Sequence, residues 1–388
     1  MNARTTRLLA AVALTGLAMI FGRVAPAGAA RQDPAPRQQQ QQPPQGRFGE
    51  NLEVREVQID AVVTDPRGNV VLGLKPSDFV VEENGHPVDV QDATFYSNRR
   101  FLESAERAKA LGLDPEQVPS DRYFILFFHD QRDLLPRLTA QILDAGRRAK
   151  EWVSSDLTAG DHVAVAGYDY KLKLFQDFTT DRGKILSAID QAVRGGVEPK
   201  VWPSRQEATT GPSLLAHLPT PEQIRKESPR IYGALELLAR ASAPIPGRKN
   251  LLLFSIGFGR VSGFGSYVPD SRYYPPLVHA LNDSNVAVYG IDLIPNAPEG
   301  GLLDNVLGNS LSSLSADTGG RYFFNFVNFL TPLEQVSDDT SGYYLLSYKS
   351  THPAGTSGYQ KVEVHTKNPE FRVRARQGYE YGKKAPTK

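Results

Sequence analysis

Near-continuous apolar runs alternating with helical patterns occupy the middle of this 388-residue chain, and they constrain its fold more than any other feature. Tyr123–Phe128 is followed by a helical pattern around Leu135–Val153, and a helical pattern over Ile231–Ala241 leads into Asn250–Ser255. Val286–Asp292 lies between helical patterns near Pro276–Ser284 and Asp304–Ala316, and Arg321–Phe324 precedes another near Thr331–Thr340. Strands read as unbroken apolar runs when helices cover both faces of a parallel sheet. The spacing therefore predicts an α/β fold with a doubly wound, mostly parallel, Rossmann-like sheet over residues 120–341. His162–Tyr168 and Leu172–Phe178 read as a hairpin, Asp181 as the cap of a helix through Val193, and residues 194–229 as a long loop.

Both flanks are β-rich. Over residues 51–100, a strand around Val54–Val62 is followed by turn chemistry at Asp65-Pro66-Arg67-Gly68-Asn69. Val70–Leu72, Phe79–Glu83 and Val88–Phe95 read as further strands, with Asn84-Gly85 as a hairpin turn. Over residues 342–381, Gly342–Tyr348, Gln360–Lys367 and Phe371–Gln377 read as three strands. Three strands barely make a stable sheet alone. The two flanks are therefore expected to join in one β-sandwich module beside the α/β unit.

The N-terminus has the form of a secretory signal over residues 1–29. Arg4 and Arg7 precede the apolar stretch Leu8–Phe21, and Ala27-Gly28-Ala29 supplies a cleavage pattern. The Gln/Pro-rich residues 30–50 read as a tether with little to bury. Residues 1–29 hold Arg4, Arg7 and Arg23 and no acid, so a net charge of +1 becomes −2 after their removal. That balance argues against a nucleic-acid surface. No second long apolar segment follows, so no membrane span is expected in the mature chain. Absence of cysteine excludes disulfides and cysteine metal sites. The expected location is secreted or periplasmic.

Strand Tyr123–Phe128 ends in His129-Asp130, which places a carboxylate at the carboxyl edge of the sheet, where open α/β folds bind ligands. Catalytic patterns are weak. Phe254-Ser255-Ile256-Gly257 lacks the glycine that a nucleophile elbow needs at position 253, and neither His129-Asp130 nor Asp161-His162 is an orienting couple by spacing. No nucleophile–base pair can be assembled from the spacing, and a secreted hydrolase is disfavoured. The loops carry Trp202, Pro203, Phe258, Phe264, Tyr267, Tyr273 and Tyr274, which suit either a partner-facing surface or packing against the sheet.

Several ordered segments resemble the von Willebrand factor type A (VWA) domain, and more closely the VWFA-related family of acidobacterial type. They are Ile59–Asp65 with Gly68, Leu72–Phe79 (LGLKPSDF), the strand ending in Asp130, Leu314–Phe323 around Thr318-Gly319-Gly320, Tyr343–Tyr348 and Val373–Tyr379. The resemblance covers residues 52–381. It implies a VWA fold and a metal-ion-dependent adhesion site with an Asp-x-Ser-x-Ser loop, a threonine and a second aspartate. Magnesium takes about six oxygen ligands in octahedral geometry. Here only Asp130 is clearly retained. Arg132 and Leu134 stand at the serine positions, Ser228 is the nearest hydroxyl in the second loop, and Ser255 stands where the last aspartate would be.

No cofactor is therefore expected, with an atypical Mg²⁺ site as the alternative. Two readings fit Arg132: a surrogate cation offering its fork to a partner's acid, or a bridge to Asp130 or Asp133. Taken together, the residues suggest a non-enzymatic adhesion-type protein that binds another protein through Asp130, Arg132, Asp133, Ser255 and Gly257, with no catalytic residue. The alternatives are a metal-dependent VWA adhesin and a structural envelope component.

Overall fold

The computed structural model describes residues 56–97, 121–195, 211–294, 302–350 and 356–382. The segments expected to be a leader and a tether, as well as Trp202 and Pro203, lie outside the described residues. Strands β1 (Glu56–Thr64), β2 (Phe79–Glu83), β3 (His86–Val88) and β4 (Val90–Ser97) come first. Asn84 and Gly85 both have positive φ, 51° and 78°, and close the tight β2–β3 turn that an Asn-Gly pair favours. The run Val88–Phe95 does not form one strand. It breaks at exposed Asp89, a poor strand former, and its halves join different sheets. Val70–Leu72 supplies a single bridge, Val70 to Thr64, instead of a strand.

The α/β unit runs β5 (Arg122–His129), α1 (Leu138–Ser155), β6 (Asp161–Tyr168), β7 (Leu172–Thr179), α2 (Arg182–Arg194), α3 (Pro221–Glu227), α4 (Ile231–Ser242) and β8 (Lys249–Ser255). It continues with β9 (Arg260–Val261), β10 (Tyr267–Val268), α5 (Tyr274–Asp283), β11 (Val286–Asp292), α6 (Leu302–Asp317), β12 (Arg321–Phe323) and α7 (Leu330–Asp339). Its six-stranded sheet has the order β12-β11-β8-β5-β6-β7, parallel except for β7, which returns antiparallel to β6.

Alternation along β5 shows why an all-apolar strand is needed here. Tyr123, Ile125 and Phe127 enter a core shared with α4 and α5, whereas Phe124, Leu126 and Phe128 enter a second core with α1, α2 and α7. Asp181 caps α2 by accepting a hydrogen bond from the Lys184 N–H at 3.1 Å. Helix α3 interrupts the segment expected to be a loop. It is too short to show a period, but Thr220 and Gln223 form a reciprocal capping box around Pro221.

The chain closes with β13 (Gly342–Lys349), β14 (Gly358–Thr366), β15 (Arg372–Ala375) and β16 (Gly378–Tyr381), four strands where three were expected. The last run splits because Gln377 turns away, its N–H donating to the Asp317 carbonyl and its own carbonyl accepting from Val362. Terminal strands from both ends of the chain make two four-stranded sheets, β15-β1-β13-β4 and β16-β14-β2-β3. Ile59, Val81, Tyr344, Leu346 and Val362 share one core between them. Among the described residues, no helix is long and apolar enough to cross a membrane.

Candidate functional site at the carboxyl edge of the parallel sheet

Strand β5 delivers Asp130 to this edge, and the Asp130 N–H donates to the Tyr168 carbonyl at the end of β6, 2.7 Å away. The loop then turns back on itself. The Arg132 backbone N–H donates to Asp130 Oδ1 at 3.2 Å, and its guanidinium grips both carboxylate oxygens, Nε to Oδ1 at 2.8 Å and Nη2 to Oδ2 at 2.6 Å. Nη1 donates to the Arg194 carbonyl at 3.1 Å, so the same cation also faces the negative end of α2. Gly195, at φ 71°, leaves room for it, since a Cβ there would fall on the guanidinium. Burial pushes the Asp130 carboxyl up, but the hydrogen bonds and charge of Arg132 outweigh it and hold the carboxyl below its ordinary value. Of the two readings of Arg132, the bridge to Asp130 describes the structure. Asp133 turns outward and accepts a hydrogen bond from the Tyr170 hydroxyl.

Gln131, which belongs to no recognisable motif, ties β5 to the loop after β8. Its Nε2 donates to the Gly257 carbonyl at 2.9 Å, and its Oε1 accepts from the Ile256 N–H and the Ser255 hydroxyl, both at 3.1 Å. Ser255 Oγ lies 2.8 Å from His129 Nδ1 and accepts from the Gly257 N–H at 2.9 Å. A His129 tautomer with the proton on Nδ1 satisfies every contact, because the Ser255 hydroxyl then donates onward to Gln131.

The structure thus contains a serine–histidine pair that spacing did not reveal, its members 126 positions apart. Both side chains are buried, Ser255 completely. Burial drives the His129 pKa down to about 3, against the smaller opposing pull of Asp130. A base with so low a pKa is poorly matched to proton abstraction near neutrality.

The donor set does not suit a divalent cation. A guanidinium occupies both oxygens of Asp130, and the Ser255 oxygen is committed to protein groups. Ser228 is fully buried elsewhere, its hydroxyl donating to the Ile224 carbonyl. Among the described residues, no three His, Asp or Glu side chains gather so as to hold a metal ion.

The expected partner-binding residues therefore separate into two groups. Asp133 is exposed, and Asp130 and Arg132 are partly so, while Ser255 and Gly257 are buried. Gly257 has a conformational role: its φ is 95°, and a Cβ would approach the Leu307 carbonyl oxygen to 2.0 Å. The loop aromatics also divide. Phe258 packs edge-on against Tyr232, and Tyr274 is buried, but Phe264 stands 99% exposed at the tip of the β9–β10 hairpin. Among the described residues, seven large hydrophobics are exposed. Six of them, Leu134, Tyr170, Phe264, Val268, Phe324 and Val327, lie on segments leaving the carboxyl ends of β5, β6, β8 and β12.

No family model matches the chain, and no curated protein matches it. Solved structures do. An aerotolerance-related membrane protein from Bacteroides fragilis aligns at 13% identity over 56% of this chain and 98% of its own, with a TM-score of 0.35. The conserved hypothetical protein BatB from Bacteroides thetaiotaomicron aligns at 16% identity over 56% and 96%, with a TM-score of 0.34. The vWF domain of the type V pili tip protein Mfa5 from Porphyromonas gingivalis aligns at 14% identity over 56% and 94%, with a TM-score of 0.33. The α/β description of this chain rests on its own strand order and register.

Proposed function

We propose that this chain is a secreted or periplasmic, non-enzymatic protein of the VWA kind that binds another protein without a divalent ion. In this reading the α/β unit of residues 120–341 is the binding part. A β-sandwich from residues 51–100 and 342–381 supports it, and residues 30–50 tether it. One observation carries the proposal: six exposed large hydrophobics collect on the edge where an α/β sheet binds ligands. Exposed apolar groups on one rim favour association, and aromatic side chains commonly supply its strongest contacts. Arg132, locked on Asp130, supplies the positive charge that a metal would otherwise bring to that carboxylate.

Two results are expected. Magnesium, manganese or calcium added after chelation leaves the thermal midpoint unchanged, because a ligand bound only by the folded state would raise it. A rise of several degrees at low millimolar metal would instead favour a metal-dependent adhesin. Second, a partner captured from the native envelope fraction in EDTA is retained by the wild-type chain and lost, by about tenfold in affinity or more, with Phe264→Ser combined with Tyr170→Ser. Both side chains are exposed, so folding stability should change by no more than about 0.5 kcal/mol each. Equal capture by the double variant would end the proposal.

A further inference from the structure

Beside the outer strand β12, a cleft of about 680 Å³ lies between the α6–β12 connection and strands β14 and β15, with Phe324 also in its lining. Four permanent cations line it, Arg321, Lys361, Arg374 and Arg376, against one carboxylate, Glu363. Lys361 is paired with Glu363, and Arg376 donates to the Asn282 and Gln58 carbonyls. The two remaining arginines share one acid. Arg374 Nη2 lies 2.9 Å from Asp339 Oδ1, and Arg321 Nη1 lies 4.0 Å from Asp339 Oδ2. Asp339 ends α7 and is only 3% exposed. Arg248, itself 8% exposed, belongs to the same neighbourhood, since the buried Tyr289 hydroxyl senses Arg248, Asp339 and Arg374 together.

Hydrogen bonding does not saturate this cluster. Arg374 Nε and Asp339 Oδ2 are buried without a hydrogen-bond partner, while Arg374 Nη2 is held only by its ion pair with Asp339. Unsatisfied buried polar atoms are rare in folded proteins. Guanidinium N–H groups lacking acceptors beside an open cleft are suited to the oxygens of a phosphate or carboxylate, which a guanidinium meets in forked geometry.

We infer that Arg374 and Arg321, with Asp339 as their internal counter-ion, form a binding site for a small oxyanion that enters through this cleft. The site is separate from the Asp130 crevice, and its existence does not depend on the binding role proposed for that edge. The shared chemistry is a phosphate or carboxylate group bearing at least two oxygens.

Calorimetric titration with inorganic phosphate and, separately, with citrate tests it, each at ionic strength matched with sodium chloride. The wild-type chain is expected to bind at least one of them saturably. Tighter binding of phosphate identifies a phosphoryl ligand, and tighter binding of citrate a carboxylate one. Arg321→Gln, at a side chain that is 42% exposed and safe for folding, weakens binding about tenfold. Asp339→Asn removes the competing internal anion and tightens it several-fold, a change of sign that general destabilisation would not produce. Absence of saturable binding by the wild-type chain, or affinities unchanged in Arg321→Gln, would overturn the inference.

Discussion

Asp161→Ala is expected to cost roughly 3–5 kcal/mol of folding stability, the range found when one member of a buried ion pair is removed. The pair closes the amino end of the parallel sheet. Arg122 donates Nε to Asp161 Oδ1 at 2.7 Å and Nη2 to Asp161 Oδ2 at 2.6 Å, with side chains 8% and 0% exposed. Asp161 Oδ2 also accepts from the Thr158 N–H at 2.6 Å, holding the turn that enters β6. With the carboxylate gone, the Arg122 guanidinium stays buried over the Phe124 ring, 5.0 Å from its centroid, with Thr340 Oγ1 as its remaining close acceptor at 3.2 Å. The penalty thus comes from a stranded charge more than from a lost attraction. Arg122→Met combined with Asp161→Leu should recover most of the loss, because no charge is then left behind. Urea unfolding followed by circular dichroism measures both variants. A single-variant loss below about 1 kcal/mol would show the pair to be water-accessible.

Features set by neighbours in the chain were legible before the structure. Alternation and run length located β5, β8 and β11, the Asn84-Gly85 pair located its turn, and Asp181 located the start of α2. Both flanks do enter shared sheets, although the tail brings four strands to them and not the three from which the joining was expected. The site was legible only in part. Asp130 and Arg132 are two positions apart, so their pairing was one of two readable options. Gln131 could not be read at all, since its three contacts lie 124 to 126 positions away. The same distance concealed the His129–Ser255 contact. Phe264 had a faint local sign: Gly263 and Gly265 flank it, as suits the tip of a turn more than a packed segment. Helix α3 carried its own start signal in Thr220-Pro221 and Gln223, but seven residues offer no apolar stripe to support it.

Acid should destabilise the protein through His129, and the direction follows from its environment. Burial lowers its folded-state pKa from an ordinary 6.5 to about 3, with Asp130 opposing only weakly. The ring lies edge-on to Tyr168 and Phe258, and its Nδ1 is committed to Ser255, so a second ring proton brings a charge into an apolar site. Between these two pKa values the unfolded chain binds a proton that the folded chain does not. Stability is therefore fully present above pH 6.5 and falls as the pH drops towards 3, with a slope of up to about 1.4 kcal/mol per pH unit. The full extent is about 5 kcal/mol. Carboxylates that titrate in the same range add their own dependence, so the contribution of His129 is the difference from His129→Asn. That variant places an amide where Nδ1 was, retains a polar partner for Ser255 and cannot take up the proton. Its stability should be lower than that of the wild type at pH 7.5 and approach or exceed it by pH 4.5, as urea titrations across that range would show. Parallel curves for the two proteins would mean that the ring is hydrated, and that the Ser255–Gln131 network does not seal the crevice beneath Asp130.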